Sequence, residues 1–380
     1  MKPVEMIQGE NWPGDFELTG AAAHNWHVRK RTLQGGFSQG LEVIQVCNGP
    51  WDVTILTGKG MSLWRGSWNG NFLGWKSPVK GPVNPHWVEL ERRGGLGWLD
   101  GFDEWFCRCG LVSNGPPGVG ANGQRYTLHG RIANLPSRYV KVETPENTPG
   151  MIRVTGIIEE TSLFSPKLRL TTVYEFPLGQ DSFRVQDQVE NLGDSPAEFQ
   201  LLYHCNLGKP LLGPNSIWSA PLTELAPQTP NAAKGIDRFP QYGPSQPGYK
   251  EQVFLCKPKA DINRWSMASL YNPDNKLGFV IRFDTSTLPY FTCWKNLGAA
   301  EEGFVTGLEP ATNFPNFIDF ERANGRVQVL PPKSAWVGNL SLGAFQGETE
   351  YSKTLAEIQK IQPEMPLVHK NPTMPFSPVT

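Results

Sequence analysis

Charge is scarce in this chain. Asp, Glu, Lys and Arg make up 19% of the 380 residues and nearly cancel to a formal net charge of −1, where an average globular protein carries roughly 25% charged residues. With no basic block either, nucleic acid is excluded as the main partner. No window of about 18 apolar residues occurs, so no membrane-spanning helix is expected. The first residues hold Glu5, Glu10, Pro13, Asp15 and Glu17 where a secretory segment needs an apolar run, and a cytoplasmic protein is the expectation. The six cysteines are dispersed, and a reducing compartment keeps them as thiols. Cys107 and Cys109 stand too close for the usual zinc spacing and lack a second ligand pair nearby; they read as packing residues on one strand face. Motifs for a P-loop, a nucleophile elbow and a zinc protease helix are all missing.

Turn-forming and aromatic residues are plentiful instead. There are 40 Gly and 34 Pro, beside 13 Trp, 20 Phe and 9 Tyr. So many aromatics with so little net charge rule out disorder, and the combination points to many short strands joined by loops. Apolar and polar residues alternate over 41–46, 151–158, 168–176 and 183–189, and further strand-like runs lie at 199–203, 277–283, 326–330 and 335–342. Helical spacing occurs once, at 352–361, where Leu355, Ile358 and Ile361 recur every third residue. Strands following strands predict an all-β fold of antiparallel sheets packed as sandwiches. A single unit over 1–380 is expected, with its core at about 40–345 and a C-terminal helix and Pro-rich tail over 346–380. The segment 210–248, rich in Pro, Gly and Asn, reads as a long surface excursion.

The Gly-x-Gly-x-x-Gly string at 118–123 follows Pro116 and Pro117 and leads into a strand-like stretch. A dinucleotide site needs the reverse order of strand then helix, so this is a loop. Of the six histidines, His24, His27 and His86 fall in polar, turn-rich stretches and His369 in the tail. His129, before Gly130 and Arg131, sits at a strand end where the backbone can approach a ligand closely. A backbone-bonded turn histidine fits that position too. His204 closes the apolar run 199–203 and precedes Asn206; it reads equally as a catalytic group or a satisfied core residue. Glu309 lies in a charge-free run, where a carboxylate must be paired or have its pKa raised. A solvent-facing carboxylate at a strand end is the alternative.

Taken in order, these motifs resemble the aldose 1-epimerase (galactose mutarotase) superfamily. The resemblance rests on Leu-His-Gly at 128–130, His204 with Asn206 and Leu207, and Leu-Glu-Pro at 308–310. Two further stretches, 60–78 and 188–193, are similar to its opening strands and to the turn before its second histidine. The resemblance runs from about residue 40 to about 345 and indicates a divergent branch. It implies a galactose mutarotase-like supersandwich with an open sugar cleft and no cofactor. Glu309 would be the general base on the anomeric hydroxyl and His204 the general acid on the ring oxygen. His129 and Arg131 would bind sugar hydroxyls, with Asn206 beside the acid and Arg131 standing in for the family's separate substrate arginine. Trp294 and Lys295, and less strongly Trp75, are candidates to line the cleft, since sugars stack on indole. Asp103 could chelate a pair of hydroxyls, or with Glu104 belong to a solvated loop. The expected partner is a small sugar, bound by a monomer or homodimer. A non-catalytic carbohydrate-binding protein is the competing reading, and an accessory domain of a lyase or glycosidase a third.

Overall fold

Burial follows the alternation of the sequence. In Met151–Thr161 and Lys167–Pro177 every second residue is buried, as expected of strands with one face on a core and one in water. Ala197–Leu207 and Phe304–Ala311 behave differently: nearly every residue is buried, so both of their faces are covered. That difference locates the interior of the molecule and, outside it, the candidate site.

The computed structural model describes residues 2–21 and 25–378. A nine-stranded antiparallel sheet runs from Val4–Ile7 at one edge, through Tyr139–Glu143, Met151–Thr161, Lys167–Pro177, Ser182–Asn191 and Ala335–Gln346, to Ile217–Ser219 at the other. A fourteen-stranded sheet lies against it. Its central strands are Phe106–Leu111, Ala197–Leu207, Phe304–Ala311, Tyr290–Leu297 and Gln252–Pro258, each antiparallel to the next. One continuous apolar cluster fills the space between the sheets, with Trp51, Trp105, Phe183 and Trp218 among its largest members. Arg108 enters that space from the larger sheet. Its guanidinium donates to both carboxylate oxygens of Asp187 on the smaller sheet, the Nη2–Oδ1 bond measuring 2.8 Å, and to the Thr172 hydroxyl.

A second, smaller apolar cluster lies on the outer face of the central strands. It comprises Cys107, Cys109, Leu202, Val305 and Ala311, covered by Trp75, Trp98 and Phe102 from the connection between Asn71–Leu73 and Phe106–Leu111. Burying Phe102 there contributes roughly 2 kcal/mol. Lys59, almost wholly buried, anchors this cover by donating to the Gly101 carbonyl at 2.7 Å and pairing with Glu104 at 2.5 Å. Both close cysteines are thus packing residues, and all six are free thiols.

Several expectations need correction. The segment 210–248 is no surface excursion: it contributes Ile217–Ser219 and Leu222–Pro227 to the two sheets and buries Trp218 and Tyr242. Such short strands carry too few residues to show a period. The helix is longer than its pattern, Glu348–Ile361, and docks through Tyr351, which stacks on Tyr271 at 3.9 Å, while Leu355 is exposed. The tail is tied down by Leu367–Val368, parallel to Leu222–Pro227, and by the buried Phe376. His27 lies on the strand Asn25–Thr32 and not in a turn, whereas His24 falls outside the described residues. Gly118–Val119 and Arg125–Tyr126 form a small hairpin, so the glycine-rich string opens no helix. Asp103 and Glu104 are buried beside Lys59 and are not a solvated loop. Strands before residue 40 also join both sheets.

Candidate active site

Strand alternation brings His204 and Asn206, Gly307 and Glu309, and Thr292 and Trp294 onto the outer face of three neighbouring strands. Glu309 is in register with Thr292, and Gly307 with Trp294. His204 stands within its strand, not at the end, because Ala197–Leu207 runs four residues beyond the apolar run 199–203. The Asn206 amide donates to the carbonyls of Glu104, at 2.9 Å, and His204, at 3.3 Å. Its Oδ1 therefore faces the His204 ring, 2.6 Å from Nδ1. An amide oxygen can only accept, so Nδ1 carries the proton and Nε2 is left as the acceptor. That free nitrogen lies 3.3 Å from Glu309 Oε1. Oε1 is buried and makes no hydrogen bond, so the two groups are within ion-pair reach without a bond being formed. Gly307 makes this possible: a Cβ there would stand 2.2 Å from that same oxygen.

His129 completes the polar set. Its Nδ1 donates to the Asn114 carbonyl at 2.8 Å, and its ring stands 5.6 Å from that of His204. His129 and Gly130 both adopt positive φ, 57° and 68°, and a Cβ on Gly130 would meet the Gly110 carbonyl oxygen at 2.3 Å. The Leu-His-Gly string is thus a tight turn that only glycine can complete. Rings enclose the site: Phe102 and Trp294 lie 5.2 and 5.3 Å from His204, and Trp98 4.7 Å from His129. The resulting cleft has a volume of about 400 Å³. Its walls are apolar, including Leu96, Leu99, Pro116, Leu128 and Val253, with Gln228, Glu251 and Thr292 as further polar groups.

These surroundings disfavour charge. Burial pushes the Glu309 carboxyl well above the usual carboxylate range, and nearby Glu251 adds to the effect. Burial and the neighbouring His129 lower His204 to about 3, against the opposing pull of Asn206; burial lowers His129 to about 4. The cleft therefore disfavours the charged form of both the imidazole and the carboxyl. Among the described residues no group of three or more His, Cys, Asp or Glu is placed to hold a metal ion.

Residues 38–344 match a family model described as a domain of unknown function (DUF4432). A solved Klebsiella pneumoniae protein, described only provisionally as an aldose 1-epimerase, is 31% identical over 98% of both chains, with a TM-score of 0.94. The chain belongs to this family. Its fold is that of the galactose mutarotase-like proteins. A galactose mutarotase-like protein from Clostridium acetobutylicum shares it at a TM-score of 0.58 and 14% identity, over 84% of this chain and 98% of its own. The galactose 1-epimerase of Lactobacillus acidophilus does so at 0.55 and 12%, over 84% and 99%. No curated protein matches the sequence.

For this family member, the structure separates the residues that the sequence grouped. His129, His204, Trp294 and Glu309 line one cleft, and Asn206 lies buried behind His204. Arg131 does not join them: it is exposed on the far side of the His129–Gly130 turn and lines a different cavity with Glu160. Alternation turns Lys295 away from Trp294 into the interior, where its ammonium donates to the Gln241 carbonyl at 2.8 Å over the Tyr242 ring. Asp103 accepts from the Trp64 indole at 2.8 Å and, with Trp75, lines a neighbouring cavity. Trp98, Phe102, Thr292, Gln228 and Glu251 had not been anticipated. None of them carries a local signal in the sequence. Glu251 accepts from the Trp294 indole N–H at 2.7 Å and so orients that ring.

Proposed function

We propose that this protein is a sugar 1-epimerase, interconverting the anomers of an aldose by opening and reclosing its ring. One observation carries the reading: a buried, unbonded carboxylate oxygen lies 3.3 Å from the free Nε2 of a histidine whose other nitrogen is fixed. A base and an acid for adjacent oxygens of one sugar carbon require that arrangement. Fold alone does not imply it. In the reactive complex the pair carries one proton, on His204 Nε2, and Glu309 is ionised. Glu309 then takes the proton of the anomeric hydroxyl while His204 gives its own to the ring oxygen. The C1–O5 bond breaks, the aldehyde rotates about C1–C2, and reversal of both transfers closes the ring on the other face. His129, close to His204, holds a sugar hydroxyl, and Trp98 and Trp294 offer stacking surfaces. The lining residues include no Lys or Arg, and two carboxylates, Glu251 and Glu309, face the cleft. That set favours a neutral sugar over an anionic one.

The test is NMR exchange spectroscopy of anomer interconversion over a panel of sugars, comparing wild type with Glu309→Gln. The variant keeps the shape and removes the base, so turnover should fall about 10²-fold or more. Retention of normal rates by a folded Glu309→Gln protein would favour a non-catalytic sugar-binding protein on the same fold.

A further inference from the structure

Beside the epimerase cleft, on the other side of the Trp75–Phe102 contact at 4.9 Å, lies a second cavity of about 540 Å³. Its wall is aromatic, formed by Trp64, Phe72, Trp75 and Phe304. Its rim is cationic: Arg65, Lys76, Lys80 and Lys209 all line it. None of these four makes an ion pair with a carboxylate among the described residues, although most cationic side chains elsewhere on the molecule do. Arg65 lies 4.0 Å over the Trp64 ring, which places a guanidinium and an indole side by side. Asp103, buried and 7% exposed, lies at the same cavity. Its Oδ2 accepts from Trp64, but its Oδ1 makes no hydrogen bond, the nearest cation being Lys59 at 3.8 Å.

We propose that this cavity binds an anionic saccharide, a sugar ring bearing a carboxylate, sulfate or phosphate, separately from the epimerase cleft. Each part of the site selects one part of such a ligand. Four unpaired cations at the mouth attract the anionic group. The indole and phenyl surfaces match the apolar face of a sugar ring. Asp103 sets an acidic group at the depth of the cavity, so the anionic group of the ligand stays at the cationic mouth and the hydroxyls point in. Burial raises the Asp103 carboxyl to about 7, which Lys59 partly opposes; a hydroxyl donor would stabilise its ionised form.

The test is calorimetric titration of the full-length protein with glucuronate and with glucose 6-phosphate, using glucose and inorganic phosphate as the separate halves. Lys76 and Lys80 are both exposed, so the double variant Lys76→Ala/Lys80→Ala leaves the fold intact. At least one anionic sugar should bind about tenfold more tightly than either half, and the double variant should lose about tenfold. Asp103→Asn should weaken the sugar while leaving phosphate unaffected, and Glu309→Gln should change neither. Four results would each overturn the proposal. These are no saturable binding of either anionic sugar, an unchanged affinity in the lysine variant, phosphate binding as tightly as glucose 6-phosphate, and loss of binding in Glu309→Gln, which would place the ligand in the epimerase cleft.

Discussion

Two buried acid–base pairs lie on opposite sides of the larger sheet, and they are built to opposite rules. On the inner face, Arg108 meets Asp187 through two bonds, and Thr172, Tyr174 and the Gly60 and Met61 carbonyls take its remaining donors. Both partners are fully buried, and the guanidinium keeps its charge because that charge is completely answered. On the outer face, His204 and Glu309 are almost as deeply buried, yet an oxygen of the carboxylate has no hydrogen bond and neither group favours its ionised form. An answered charge holds two sheets in register. An unanswered one is left for a ligand to complete.

The contrast breaks most visibly in stability. Asp187→Ala leaves Arg108 charged and stranded in the interior, so urea unfolding should show a loss of about 3–5 kcal/mol. Glu309→Gln should cost nothing measurable or raise the midpoint, because it removes a group that dislikes its site. Activity should respond the other way. His204→Asn should lower turnover by about 10²-fold. Combined with Glu309→Gln it should be little worse than either alone, since acid and base act as a unit. Gly307→Ala sharpens the point. Its methyl would push aside the Glu309 carboxyl but not the backbone, so turnover should fall about tenfold or more while the unfolding midpoint stays close to normal.

Acid should expose the outer face next. His204 and His129 are held near 3 and 4 against an ordinary 6.5, so below 6.5 the unfolded chain binds more protons than the folded one. Their share of stability is fully present above pH 6.5 and is lost as pH falls towards 4. Glu309 acts with the opposite sign: its contribution is present below its ordinary 4.5 and fades as pH rises through its raised value. Melting temperature measured from pH 7 to 4 should drop, and less steeply in His204→Asn. Turnover efficiency should fall as pH rises through the raised Glu309 value, because the pair then loses the one proton that His204 must donate, a limb that Glu309→Gln removes. The smallest effect belongs to Arg131→Ala. Exposed and turned into another cavity, Arg131 should leave the Michaelis constant for a neutral sugar within about twofold of wild type.

Much of this was present in the order of residues. Alternation over 151–158 and 168–176 marks strands with one wet face, and scarce helical spacing excludes a helical or mixed fold. His129, His204 and Glu309 stand out because each is an ionisable group set in apolar or glycine-flanked sequence. Grouping them was harder. Arg131 lies two residues from His129 and Lys295 is next to Trp294, yet both point elsewhere, because adjacent positions on a strand face opposite ways and a positive-φ turn redirects the chain. Conversely Glu251 and Trp98 reach the cleft from far along the chain, and no local pattern reports such a meeting. Sequence by itself determined the all-β class, since period is a local property, and its family resemblance named the candidate acid and base. Tertiary structure alone decided which of them share a cleft, which carboxylate is answered and which is left open. Register across strands and burial by a distant connection are non-local, and they set the dielectric and the hydrogen-bond partners on which proton transfer depends.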